Sequence, residues 1–237
     1  MNTALNGSPA GRVAIVTGGS SGVGQATIRR LAASGYAVVV NYRNRQRAAE
    51  STVEAILANN GDAVAVRADI ADDLDVQRLF AETIAVFDGI DVVVHTADSR
   101  NTAAPVTEVD LDEFDALLRT NTRATFVVNR EAARRLRNGG AIVNLSSSPG
   151  GSSLRTHGVY AATKAITDVL TRALALELHE RDITVNALSL EAGRSCAPDR
   201  VADVIAYLLS DQGHRLTGQV LRVGDPGSRL WIPGGAR

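Results

Sequence analysis

The sequence predicts an α/β chain built on a doubly wound, parallel sheet of seven strands with helices on both faces. Two observations carry this prediction. Short apolar runs alternate with longer segments of helical period along the chain. The runs are rich in β-branched residues, as strands buried between two helical layers are. Crossovers between such strands are expected to be right-handed.

Residues 12–17 (Arg-Val-Ala-Ile-Val-Thr) read as the first buried strand, followed by a helix over 23–34 that Gly35 ends. Residues 36–42 form the second strand. A helix over 46–59 follows, with Ala49, Val53, Ile56 and Leu57 on one face and Gly61 beyond its end. The third strand spans 63–67, and the helix 72–87 turns Leu74, Leu79, Ile84 and Phe87 inward. Residues 90–96 are the fourth strand, and 110–136 read as two helices in sequence. The fifth strand covers 140–146, the longest helix 157–180 and the sixth strand 183–189. A helix over 199–210 and a strand over 219–223 complete the pattern. No linker, repeat or low-complexity tract interrupts it, so residues 1–237 are expected to form one domain. The tail from Gly224 to Arg237 is either packed locally or, through Trp231 and Pro233, an anchor on another subunit.

A net charge of −1 gives no reason to invoke nucleic acid or an anionic membrane. The basic run Arg134-Arg135-Leu136-Arg137 sits at a helix end, where it offsets the dipole. No apolar run reaches the roughly 18–20 residues of a bilayer span, and residues 1–10 lack the basic start and apolar stretch of a signal peptide. The single cysteine, Cys196, cannot close an intramolecular disulfide, which fits a cytoplasmic setting. No spacing of His, Cys and carboxylates suggests a metal. His95 reads as a strand-end residue, His157 as a loop residue at the rim of a cleft, and His179 and His214 as surface positions.

The first strand runs into Thr17-Gly18-Gly19-Ser20-Ser21-Gly22-Val23-Gly24, and a helix follows. Glycines at 18, 22 and 24 let the backbone turn sharply and approach a ligand closely. Amides at the helix start, with the helix dipole, suit a pyrophosphate. The expected contacts of a dinucleotide here are Gly18, Ser20, Ser21, Gly22, Val23 and Gly24, which makes the fold Rossmann-type. The second strand ends Asn41-Tyr42-Arg43, without the carboxylate that would bind a ribose 2′-hydroxyl. Arg43 either forks onto a 2′-phosphate or stands in solvent, and the first reading favours NADP(H) over NAD. Asp69, with Ile70 beside it, either meets the adenine edge or caps a turn.

Tyr160 and Lys164 are four residues apart at the start of the long helix, hence on one face. Free Tyr has a pKa near 10, and a neighbouring ammonium favours the phenolate. Lys164 is the sole lysine of the chain. The preceding strand ends in Ser146-Ser147-Ser148 at the carboxyl edge of the sheet, where ligand crevices lie and a serine hydroxyl can donate to a substrate oxygen.

With Thr17-Gly18-x-x-x-Gly22-x-Gly24, Asn121, Ser147, Tyr160-x-x-x-Lys164 and Asn186-Ala187, the sequence resembles the short-chain dehydrogenase/reductase family in its compact single-domain form, similar to 3-oxoacyl-acyl-carrier-protein reductases. The resemblance covers nearly the whole chain. It implies that Tyr160 is the acid in reduction and the base in oxidation. Lys164 would tune Tyr160 and bind the nicotinamide ribose, and Ser147, thirteen residues before Tyr160, would polarise the carbonyl. The register of that serine can slip by one. Asn121 would hold a water in the proton relay, and Ala97 would lie against the cofactor. The expected substrate is a small-molecule carbonyl or alcohol: an acyl-thioester ketone, a sugar, or a steroid-like or polyketide compound. A homotetramer or homodimer is implied, with the helices of 110–136 and 157–180 against their symmetry mates.

Three departures stand out. His95-Thr96-Ala97-Asp98 replaces the usual Asn-Asn-Ala-Gly, and its Asp98 carboxylate either faces a cofactor phosphate, at a cost in affinity, or turns to solvent or a cap. Leu188 to Gly193 lacks the usual Pro-Gly, and the substrate-covering loop is truncated. That predicts an open site, a bulky substrate, a pocket completed by another subunit, or weak catalysis. Gly224-Asp225-Pro226 replaces the usual Asp-Gly-Gly. An alternative function is therefore a dinucleotide-binding regulatory or scaffold protein of low activity.

Overall fold

A computed structural model describes residues 11–20, 22–99, 103–148, 154–191 and 196–224. The loop residue Ser21 and the tail residues Trp231 and Pro233 lie outside them. Seven strands form one sheet: β1 (Val13–Thr17), β2 (Ala37–Tyr42), β3 (Ala63–Arg67), β4 (Val92–His95), β5 (Ala141–Ser148), β6 (Thr184–Glu191) and β7 (Val220–Val223). Their spatial order is β3-β2-β1-β4-β5-β6-β7, with every pairing parallel. The helices are α1 (Gly22–Ala33), α2 (Gln46–Leu57), α3 (Asp73–Phe87), α4 (Leu111–Leu117), α5 (Ala124–Arg135), α6 (Gly158–Glu177) and α7 (Pro198–Leu208).

The side-chain period of two along each strand divides the interior into two cores. Val13, Ile15 and Val39 point to one face, where they meet Leu79 and Phe80 of α3 and Val127 and Val128 of α5. Ala14, Val16, Val38 and Val40 point to the other, against Ile28 and Leu31 of α1, Ile56 of α2 and Ile205 of α7. Strands covered on both faces carry no polar alternation, which is why β1 is Val-Ala-Ile-Val-Thr and wholly buried.

Two expectations need correction. Leu74 does not join the inner stripe of α3: it is 74% exposed, and Val76, Leu79, Phe80, Thr83 and Phe87 form the stripe instead. Leu74 lies two residues from Val76, roughly 200° around a helix of 3.6 residues per turn. Residues 110–136 do form two helices in sequence, α4 and α5. Asp110 caps α4 through the amides of Asp112 and Glu113, and a π turn over Leu118–Arg123 carries the chain straight into α5. The strands β5 and β6 run beyond 146 and 189, because the ladder pairing Leu145 with Leu188 continues to Ser148 with Glu191. The serine run did not signal this extension, since backbone groups make a ladder whatever the side chain.

A buried polar cluster fixes the helices that carry the site. Asn144 of β5 and Asn129 of α5 exchange amide hydrogen bonds of 2.8 and 3.0 Å, and the Asn144 amide also donates to Thr171 of α6 at 3.1 Å. Both asparagines are almost without exposure. Removing one partner leaves the other's amide unsatisfied in the core. Asn144→Ala is therefore expected to lower unfolding stability by about 1–3 kcal/mol, read from urea unfolding; an unchanged midpoint would show that the cluster does not hold the layers together.

Candidate active site

The strand order reverses beside β1, so the carboxyl ends of β1 and β4 part and open a crevice. Thr17 and His95 stand in register at its floor. Gly18 and Gly22 take left-handed backbone angles, φ +67° and +53°. A Cβ on Gly18 would come within 2.9 Å of the Ala97 backbone, and one on Gly24 would collide with the Gly18 carbonyl and the Thr96 hydroxyl. The Thr96 hydroxyl donates to the Thr17 carbonyl at 2.7 Å, locking the loop to the end of β4. The first turn of α1 thus sits hard against β4, while a Cβ on Gly22 would meet nothing within 4 Å.

Gly18, Ser20, Val23, Gly24, Arg43, Asp69, Ile70 and Ala97 line one cleft of about 580 Å³, and Gly22 opens the helix beside it. Asn41, Asn44, Arg45, Thr96, Asp98, Thr120, Leu145 and Leu190 are among the other wall residues. Arg43 and Arg45 are exposed at the end of β2. Asp69 proves to be a turn cap as well as a wall residue. Its carboxylate accepts from the Ala71 amide and from Arg119 of the π turn, each at 3.0 Å. Burial pushes the Asp69 carboxyl up, but the Ala71 amide and the Arg119 guanidinium outweigh it and hold it below the ordinary range. Sequence reasoning missed Arg119, because nothing in its local pattern points across to β3.

Asn121, Ser147, Tyr160 and Lys164 are all buried, and Asn121 reaches the helix that carries Tyr160 and Lys164 through Thr163. Asp98 joins Tyr160 and Lys164. The Tyr160 hydroxyl donates to Asp98 Oδ2 at 2.8 Å, and Lys164 Nζ lies 2.8 Å from Asp98 Oδ1. The ammonium also donates to the Leu145 carbonyl at 3.3 Å and sits 5.7 Å from the Tyr160 ring centre. Asp98 is therefore the carboxylate of a Tyr–Asp–Lys bridge, with part of its side chain still open to the cleft. Charge counting from the sequence anticipated an anion near the cofactor loop but not this partner, since 62 residues separate Asp98 from Tyr160.

Asn121 braces this bridge. Its side-chain oxygen accepts from the Ser99 amide at 2.9 Å, and its nitrogen donates to the Ser99 carbonyl at 2.8 Å and to Thr163 Oγ1 at 3.2 Å. Thr163 in turn donates to the Tyr160 carbonyl at 2.7 Å. The Asn121 side chain is thus occupied in holding the segment after Asp98 against α6. The Asn121 carbonyl accepts from Thr125 Oγ1 at 2.6 Å. The Ser147 hydroxyl donates to the Leu190 carbonyl across β6 at 3.0 Å.

His95 is a buried structural link. Its ring nitrogens lie 2.9 Å from Thr17 Oγ1 and 3.1 Å from Thr125 Oγ1. Because the Thr125 hydroxyl proton is committed to Asn121, Thr125 must accept from His95, which assigns the ring proton to Nε2. Burial, with Lys164 nearby, pushes the His95 pKa from 6.5 down to about 3. Between those values the unfolded chain binds one proton more than the folded chain, so stability rises with pH through that window. Acidifying from pH 7 to pH 5 is expected to cost about 2 kcal/mol through this residue. His95→Asn should flatten that slope in urea unfolding; parallel slopes in the two proteins would contradict a neutral, buried His95.

Among the described residues, no helix is long and apolar enough to cross a membrane, and no three His, Cys, Asp or Glu side chains could hold a metal ion.

Comparison with known proteins agrees with this geometry. Residues 12–193 match the profile of the short chain dehydrogenase family. The chain is similar to versicolorin reductase of Emericella nidulans, with 39% identity over 180 residues, 76% of this chain and 68% of the relative. A dehydrogenase/reductase from Sinorhizobium meliloti superposes with a TM-score of 0.85 and 33% identity, covering 92% of this chain and 95% of that one. A short chain dehydrogenase from Burkholderia cenocepacia, solved in complex with NADP, superposes with a TM-score of 0.82 and 30% identity, covering 92% and 98%. A parallel sheet opened beside β1, a glycine cradle and a Tyr–Lys face, matched by relatives over most of the chain, make this protein a member of the short chain dehydrogenase family of oxidoreductases.

Proposed function

We propose that this chain is an NADP(H)-dependent carbonyl reductase and alcohol dehydrogenase in which Tyr160 transfers the proton. One observation carries the reading. The Tyr160–Lys164 face and the glycine-cradled cleft meet at Asp98, which lines the cleft and touches both side chains. The cleft fits a dinucleotide. Left-handed glycines leave its floor without side chains, α1 aims its first amides at it, and two guanidiniums stand at the β2 end. The nicotinamide, when bound, supplies or takes up the hydride.

The chain's own residues do the rest. Backbone amides around Gly18 to Gly24 hold the pyrophosphate, with Ser20 and Ser21 beside it. Arg43, with Arg45, takes the 2′-phosphate, a role suited to a planar guanidinium. Asp69 and Ile70 border the adenine, and Ala97 packs against the cofactor. Lys164 holds the nicotinamide ribose and stabilises negative charge on Tyr160. Ser147, at the carboxyl end of β5, orients the substrate oxygen. Six residues, 192–197, join β6 to α7, which favours an accessible site and a bulky carbonyl substrate. The name of the versicolorin-reducing relative makes polyketide-like ketones the first class to try, ahead of acyl-thioester ketones. Helices α5 and α6 expose Phe126, Ile166, Val169 and Leu176, apolar surface that suits a homo-oligomer.

A second reading rests on the ammonium of Lys164 being already paired within the chain: a dinucleotide-binding protein of low turnover. Loss of NADPH fluorescence across a panel of carbonyl compounds separates the two, since the second predicts binding without oxidation.

Two outcomes are expected. Arg43→Ala should weaken NADPH binding about 10- to 100-fold, the loss of one charge-assisted contact, and leave NADH binding nearly unchanged; an equal effect on both, by fluorescence titration, would remove Arg43 from the phosphate site. Tyr160→Phe should lower kcat at least about 100-fold without changing NADPH affinity; retained turnover would remove Tyr160 from proton transfer.

A further inference from the structure

Tyr160 is 1% exposed and the Lys164 side chain 3%, so neither exchanges protons with bulk water unaided. The carboxylate that touches both is different: its side chain is 22% exposed and lines the open cleft. Asn121 occupies its side chain with the Ser99 backbone and holds the Asp98–Ser99 segment in place. His95, buried where it feels the charge of Lys164, is neutral and closed between Thr17 and Thr125.

We propose that Asp98 is the proton relay of this site: it shares one proton with Tyr160 and exchanges it with solvent. Its part in turnover rests on the carbonyl-reductase reading; the shared proton does not. Around the Tyr160 hydroxyl, the charged groups among the described residues are Asp98 from the loop after β4 and Lys164 one turn along α6. His157, at the start of α6, is partly buried and bonded to Thr156. The ammonium favours the phenolate and the carboxylate favours the phenol, so the two charges oppose each other at the same oxygen.

That opposition gives the pair a cycle. In reduction, the Tyr160 O–H bond breaks and its proton passes to the substrate oxygen as hydride reaches the carbonyl carbon. Phenolate and carboxylate then lie side by side, and like charges at hydrogen-bond distance cannot both stay ionised cheaply. A hydronium ion from the cleft protonates the exposed edge of Asp98, and the proton crosses to the phenolate through the Oδ2 contact. One proton enters from solvent and one leaves on the product; no electrons are involved beyond the hydride. Oxidation runs the same steps in reverse.

The shared proton is tested without turnover. Tyrosinate absorbance is followed during alkaline titration of the ligand-free protein, with Tyr160→Phe identifying the Tyr160 signal among the four tyrosines. Asp98→Asn is expected to ionise Tyr160 at lower pH than the wild type, and Asp98→Glu, which keeps the carboxylate, to titrate like the wild type. Identical titration in wild type and Asp98→Asn overturns the proposal. In turnover, Asp98→Gly is expected to lose roughly 100-fold in kcat, the lower end of a general acid–base contribution, and added formate to restore it. Formate should not rescue Tyr160→Phe. Undiminished kcat in Asp98→Gly, or a loss that formate leaves in place, overturns the relay. A wild-type protein that oxidises NADPH with no carbonyl compound, yet shows the titration shift, fails the reductase reading and keeps the proton-sharing pair.

Discussion

A parallel sheet whose strand order reverses beside β1 must leave its carboxyl edge open at that point, and every feature of the site is arranged around that opening. Crossovers to β2 and β3 leave on one side of β1, and those to β4 and beyond leave on the other. Thr17 and His95, paired in register, mark that edge. The glycine loop has to turn inside that opening, which is why Gly18 and Gly24 tolerate no side chain against Ala97 and Thr96. The same edge receives the Ser-rich end of β5 and the start of α6. The glycine-cradled cleft and the Tyr160–Lys164 face are consequently adjacent by topology, before any individual residue is considered.

Electrostatics then sets what the site can do. Lys164 is the chain's one ammonium, against 24 guanidiniums. A compact point charge on a flexible stem suits a place where it must sit beside a phenol and a carboxylate at once. Buried charge is expensive unless paired and hydrogen-bonded, and here the ammonium has both Asp98 and the Leu145 carbonyl. Replacing the small residue of the family pattern by Asp98 turned a Tyr–Lys pair into a three-membered network. The network is braced from behind by Asn121 of the π turn, whose side chain bonds both the amide and the carbonyl of Ser99.

Much of this was legible in the sequence. The strands carry β-branched runs because both faces are buried. The glycine spacing has a backbone reason, and a Tyr–Lys spacing of four follows from helical geometry. The misses share a cause: they depend on contacts between residues far apart in the chain. Leu74 looks apolar and inward until the neighbours of α3 choose Val76 and Phe80. The fifth strand reads as closing at 146 until β6 supplies a ladder as far as Ser148. Asp69 offered two roles, and only Arg119, 50 residues away, shows that the turn cap is also an ion pair. Asp98 was the largest miss, since its local context named a cofactor phosphate or solvent and its partners lie on α6.

The central claim is hydride transfer at a carbonyl carbon next to Tyr160. Its most direct test is isotopic. The protein is incubated with a panel of polyketide-like and acyl-thioester ketones and NADPH dideuterated at C4 of the nicotinamide, and the products are examined by mass spectrometry. The account predicts an alcohol carrying one deuterium on the carbinol carbon, formed by the wild type and not by Tyr160→Phe. Ketones recovered unchanged and undeuterated, with the cofactor bound but still reduced, would contradict it.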